Sequence, residues 1–126
     1  MNLPQFENIP DVGLYLDQIT KYINSFLEKD NQLTGSMITN YVKLKIVPKG
    51  IKKTYSRNHI AQFLLIACFK YVLSMEQIKK VFENNDKTIE DMYDCFLNRG
   101  ENDEVLKALY ANIEAKIELD RMIENL

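Results

Sequence analysis

Lys43, Lys45, Lys49, Lys52, Lys53, Arg57 and Lys70 lie in a stretch, Asn31 to Met75, that contains no aspartate or glutamate. Cations without neighbouring acids are suited to holding anions, phosphate oxygens above all. The rest of the chain has the opposite sign. Residues 1–30 set five acids against Lys21 and Lys29, a net of −3, and residues 76–126 set thirteen acids against seven bases, a net of −6. The formal net charge of −2 is thus a cancellation between a basic segment and an acidic remainder, and it does not weigh against a nucleic-acid partner. A buried helix has no room for charge, which accounts for the missing acids near Leu64–Phe69 but not for those missing from residues 34–58.

Other chemistry has little to work with. His59 is the one histidine, and the two cysteines, Cys68 and Cys95, have no CxxC or HExxH spacing that would point to zinc or a redox pair. No nucleophile elbow, phosphate-cradling GxxxxGK[ST] or dinucleotide GxGxxG is present, so neither an enzyme nor a cofactor is expected. Both cysteines read as small core residues, and His59, in the first turn of an apolar helix, as an ordinary surface residue. The opening MNLPQFENIP has neither a basic n-region nor an apolar h-region. With free cysteines and no export segment, the expected compartment is the cytoplasm, with no membrane partner.

These residues must be positioned by helices. The 126 residues are 46% hydrophobic and 27% charged, with four glycines and three prolines, a helical single-domain composition. Residues 12–28 place Leu16, Ile19, Ile23, Phe26 and Leu27 on one amphipathic face. After the polar break KDNQ, Thr34 can cap a short helix over 35–44 with Met37, Ile38, Tyr41 and Leu44 inward. Ile46-Val47, the turn signal Pro48-Lys49-Gly50 and the return from Ile51 to Tyr55 suggest a small hairpin. Ser56 then opens an apolar core helix, RNHIAQFLLIACFKYVL. Ser74 with Gln77 forms a capping-box pattern before Met75, Ile78, Val81 and Phe82. Thr88 with Asp91 suggests another cap, and Gly100 the C′ stop of that helix. A last helix over 103–125 carries the stripe Leu106, Leu109, Ile113, Ile117 and Ile123. The 84–87 loop marks a weak boundary between a body, 1–83, and a C-terminal helical pair, 84–126.

That order resembles the DNA-binding half of the MerR family. TNYVKLKIVP corresponds to the recognition helix and Pro-containing turn, KGIKK to a basic wing, Tyr55-Ser56 to the start of the next helix, and LSMEQIKKVF to the helix after it. A closer resemblance is to an uncharacterised bacterial family of small MerR-like proteins, domain of unknown function eighteen thirty-six. Its SMI-x-NY-x-K and K-x-Y-S-R elements stand here as Ser36 to Lys43 and Lys53 to Arg57. The resemblance implies a mainly α fold, with a winged helix-turn-helix body, a small β-hairpin wing and C-terminal helices. It also implies a transcriptional regulator that binds double-stranded DNA, and a homodimer paired through the C-terminal helix. Where MerR proteins have Arg-Tyr-Tyr this chain has Thr39-Asn40-Tyr41, so an operator would be read differently. No effector domain or metal-binding cysteines follow, and no small-molecule ligand is implied.

Residue roles follow from side-chain chemistry. On a helix over 35–44, Ser36, Thr39, Asn40 and Lys43 lie opposite Ile38 and Tyr41 and would face the major groove. Asn40 is the candidate base reader, because its amide pairs with adenine N6 and N7 together. Lys43, Lys45, Lys49, Lys52, Lys53 and Arg57, on the helix end and the 45–57 wing, suit phosphates. Tyr41 and Tyr55 suit the border of the core. The alternative reading is a protein-interaction module on a helix-turn-helix core without DNA binding.

Overall fold

The computed structural model describes residues 1–126 and consists of six helices: α1 (Leu16–Asn24), α2 (Gly35–Lys43), α3 (Arg57–Phe69), α4 (Met75–Glu83), α5 (Ile89–Leu97) and α6 (Glu104–Glu124). Short 3-10 turns occupy Phe6–Asn8 and Lys29–Asn31. No helix is long and apolar enough to cross a membrane.

Helix α3 is the axis of the molecule. Every residue from Ile60 to Phe69 is buried, as an all-round apolar helix requires, and α1, α5 and α6 pack against it. Its single polar core side chain, Gln62, donates Nε2 to the Ile46 carbonyl at 2.8 Å, so its burial is compensated. One cluster of 26 buried apolar residues runs from Phe6 to Ile113 and joins all six helices.

The caps form where local chemistry places them. Thr34 Oγ1 accepts from Met37 N, Ser74 Oγ from Gln77 N, and Thr88 Oγ1 from Asp91 N. Gln77 returns the favour to the Ser74 amide at 2.9 Å, completing the capping box.

Helix α1 is shorter than its apolar periodicity predicts. At its start, Leu14 is extended and exchanges backbone hydrogen bonds with Tyr55. At its end, Ser25, Phe26 and Leu27 bond three residues back, and the Asn24 amide grips Leu33 through both its carbonyl (2.7 Å) and its N–H (2.8 Å). The connection to α2 therefore spans residues 25–34, longer than the three- to four-residue turn of a tight helix-turn-helix.

The expected β-hairpin wing is not present, because the protein has no strand. Ile51 and Thr54 exchange two hydrogen bonds across Lys52 and Lys53, both at positive φ (51° and 64°), which is one rung of a hairpin closed by a I′-type turn. The next hydrogen-bonded rung would pair Lys49 with Ser56. Ser56 is already spent: its N–H donates to His59 Nδ1 at 3.0 Å and its carbonyl accepts from Ile60 as α3 begins. On the outgoing side, Ile46 and Val47 both return their N–H groups to the Tyr41 carbonyl, and Pro48 has none to give. Gly50 is required at this tight closure, since a Cβ there would overlap the Thr54 carbonyl.

Other sequence expectations shift at helix ends. Leu44, expected inward, is the C-cap of α2 and 42% exposed. The stop of α5 is Arg99 in the left-handed region (φ 63°), and Gly100 follows it as C″. The inward stripe of α6 covers Leu106, Leu109 and Ile113 and is half-buried at Ile117, but Ile123 is 56% exposed, because nothing packs on the last turns of the helix.

Candidate nucleic-acid interface

Helix α2 separates two chemistries by its period. Ile38 and Tyr41 are buried, the Tyr41 ring centroid 6.4 Å from that of Phe63, and desolvation pushes the Tyr41 phenol above its ordinary pKa. Ser36, Thr39, Asn40 and Lys43 are all exposed, and steps of three and four residues put them on one outward face. Their hydrogen-bonding states differ. Thr39 donates its hydroxyl to the Gly35 carbonyl at 2.6 Å, leaving it an acceptor. The side chains of Ser36 and Asn40 take no part in the helix's caps or back-bonds.

Beyond α2 the chain turns on Lys45 (φ 61°). Lys45 N bonds to the Val42 carbonyl and Ile46 N to the Tyr41 carbonyl, a Schellman motif with lysine where glycine is usual. Ile46 and Val47 fold back into the core, while Lys45, Lys49, Lys52 and Lys53 remain exposed. Three lysines of this loop thus hold left-handed conformations, each costing about 1–2 kcal/mol relative to glycine. Lys43, Lys45 and Lys49 border a single cleft, whereas Lys52 and Lys53 form the tip of the turn.

The other two cations of the acid-free stretch are placed differently: Arg57 is held by hydrogen bonds, and Lys70 borders a separate cleft. Arg57 donates Nε to the Ile9 carbonyl at 2.7 Å, approaches the Glu7 carbonyl and lies 5.6 Å from the Phe6 ring centroid; its backbone N–H bonds Asp11. It ties the N-terminal segment to the start of α3. Lys70, the C-cap of α3, borders another cleft with Glu28, Asp30 and Asp120, and burial lowers its pKa.

His59 is half-buried rather than a plain surface residue. Its Nδ1 accepts from Ser56, so in the neutral ring the proton sits on Nε2, which is buried without a partner, and Tyr55 meets the ring edge to face at 5.4 Å. The Cys68 thiol is buried among apolar groups and pushed up to about 12, mainly by desolvation, which makes it inert. No cluster of three or more His, Cys, Asp or Glu side chains is placed to hold a metal.

The sequence reading missed Lys79 and Lys87, which border the same cleft as Lys43, Lys45 and Lys49. The SMEQIKK and NNDK segments carry these lysines, but no local pattern signals that α4 and its following loop approach the end of α2.

A family model described as Domain of unknown function (DUF1836) matches residues 4–113. No curated protein and no solved structure matches the chain.

Proposed function

We propose that this chain, which belongs to the DUF1836 family, is a DNA-binding transcriptional regulator. The outer face of α2 reads the major groove, with Asn40 as base reader and Ser36 and Thr39 beside it. Lys43, Lys45, Lys49, Lys52 and Lys53 hold phosphates. The observation that carries this reading is the division of labour in the acid-free segment. Five of its lysines are exposed on α2 and the following loop, while Arg57 is bonded to the N-terminal segment and Lys70 borders a separate, acid-lined cleft. The loop does the phosphate-holding work without a hairpin.

A homodimer fits the same reading. The end of α6 exposes Leu119, Met122, Ile123 and Leu126, an apolar strip that two copies would cover by twofold pairing, on half-sites roughly 34–36 Å apart. The same strip also supports the second reading, a protein-interaction module without DNA binding.

Selection of bound duplexes from a random pool decides between them. The regulator enriches a defined, near-palindromic site, and reversing Lys43 and Lys53 together abolishes recovery. The interaction module enriches no sequence, and its partner binding survives the double reversal.

A further inference from the structure

The cleft beyond α2 has more than a phosphate backbone needs. It measures about 620 Å³, within the ordinary range for small-molecule sites, roughly 300–1,000 Å³. Its wall is mainly apolar: Val42, Phe82 and Ile89 are partly exposed there, over the buried Ile46, Val47 and Met92. Around that wall stand Lys43, Lys45, Lys49, Lys79 and Lys87, with Glu83 the only acid. Lys79 faces Glu83 at 3.8 Å and Lys87 is held by Asp103 at 2.8 Å. Lys43, Lys45 and Lys49 have no such partner. The cleft bordered by Lys70 is a contrast: it is smaller, about 380 Å³, and mixes Glu28, Asp30, Asp120 and Glu124 with two cations and little apolar surface.

We propose that the lysine-rimmed cleft binds a small amphiphilic anion, a carboxylate or phosphate monoester carrying an apolar chain or ring. Lys43, Lys45 and Lys49 hold its head, and its apolar part lies on the partly exposed Val42, Phe82 and Ile89. The apolar wall rejects inorganic anions, which gain nothing from it, and the unpaired lysines reject uncharged lipids. The cleft joins the end of α2 to the start of α5, so an occupant bridges the basic segment and the acidic C-terminal half. Resting on the DNA-binding reading, a further consequence follows. The head group neutralises three lysines that would otherwise meet phosphates, so ligand and DNA compete and the ligand acts as an inducer.

The test is calorimetric titration of the full chain, without DNA, with decanoate, decyl phosphate, 1-decanol and inorganic phosphate. At least one decyl anion binds with one site per chain, and the tighter of the two identifies the head group. Decanol and inorganic phosphate bind about tenfold more weakly or worse, since each lacks half of the recognition. Changing Lys43→Gln, Lys45→Asn and Lys49→Gln together weakens the anion about tenfold or more and leaves the unfolding midpoint in place, asparagine being tolerated at the left-handed Lys45. Ile89→Glu, acceptable in the first turn of α5, blocks the site by placing a carboxylate in it. The proposal is overturned if neither anion saturates at millimolar concentration, if decanol matches the anions, or if the triple variant binds within twofold of the original chain. A parallel competition assay keeps the two readings separate. Asn40→Ala impairs DNA binding while anion binding persists, and displacement of DNA by the anion is expected only where DNA binding itself is established.

Discussion

Helices α2 and α5 end in the same motif and lead to different outcomes. Each stops on a basic residue in the left-handed region, Lys45 (φ 61°) or Arg99 (φ 63°), and each sends the following N–H back to the helix, Ile46 to Tyr41 and Gly100 to Cys95. After Arg99 the chain turns at once into a packing device. Gly100 (φ 73°) lies against the backbone of α6 at Leu106–Lys107, so closely that a Cβ would overlap it, and Asp103 caps α6 through Leu106 N. After Lys45 the chain dips into the core at Ile46 and Val47, then runs out to Lys49, Lys52 and Lys53. One turn docks a helix, and the other presents cations. Glycine would relieve the backbone at Lys45, Lys52 and Lys53, and no packing contact compensates for lysine there. On the proposed DNA-binding reading, phosphate contacts by these side chains would account for the strain.

Substitutions at the two ends should separate packing from charge. The largest effect belongs to the packed end. Gly100→Ala has both a left-handed φ and a backbone overlap to accommodate, and should cost about 3 kcal/mol or more in urea unfolding. At the charged end, Lys52→Glu with Lys53→Glu should weaken DNA binding by roughly 2–3 kcal/mol at low salt, with stability within about 0.5 kcal/mol of the original. A large loss of stability in that double variant would erase the contrast. Asn40→Ala should lose about 1–3 kcal/mol of discrimination at one base position, read from binding to a set of single-base variants of the selected site.

Asp103 refines the packed end further. Its carboxyl is held below the usual 3.8, first by the Leu106 N–H and then by Lys87. A depressed folded-state pKa stabilises above the unfolded value, so this contribution is complete above pH 3.8 and disappears as pH falls through the lower folded value. Asp103→Ala should cost about 1 kcal/mol at neutral pH, and unfolding curves of variant and original chain should converge in strong acid. The smallest effect is a gain: Lys45→Gly should stabilise by a few tenths to about 1 kcal/mol in urea unfolding, because relief of the left-handed turn is partly offset by glycine's greater entropy in the unfolded chain.

The sequence is most legible where the physics is local. Thr34, Ser74 and Thr88 cap the helices that their spacing announces, and the unbroken apolar run of α3 could only be central. The exposed face of α2 follows from its period alone. The hairpin is different, because PKGIKK has the composition of a wing and its extension depends on what its neighbours do. Tyr55 is taken by Leu14 and Ser56 by His59, and neither use is visible in the segment itself. Arg57 looks like any other cation of the stretch until the carbonyls of Ile9 and Glu7, some fifty positions earlier, claim it. The apolar period of α6 continues to Ile123 although the body it packs on ends near Ile117, so the pattern gives no sign of where packing stops.

The central claim is that the exposed lysines of α2 and the following loop hold phosphates. Its most direct test is the salt dependence of duplex DNA binding. With four or five phosphate contacts per protomer, at about −0.9 per contact, log affinity should fall with log salt at a slope near −4 per protomer. A complete lack of salt-sensitive binding at low ionic strength would contradict the account.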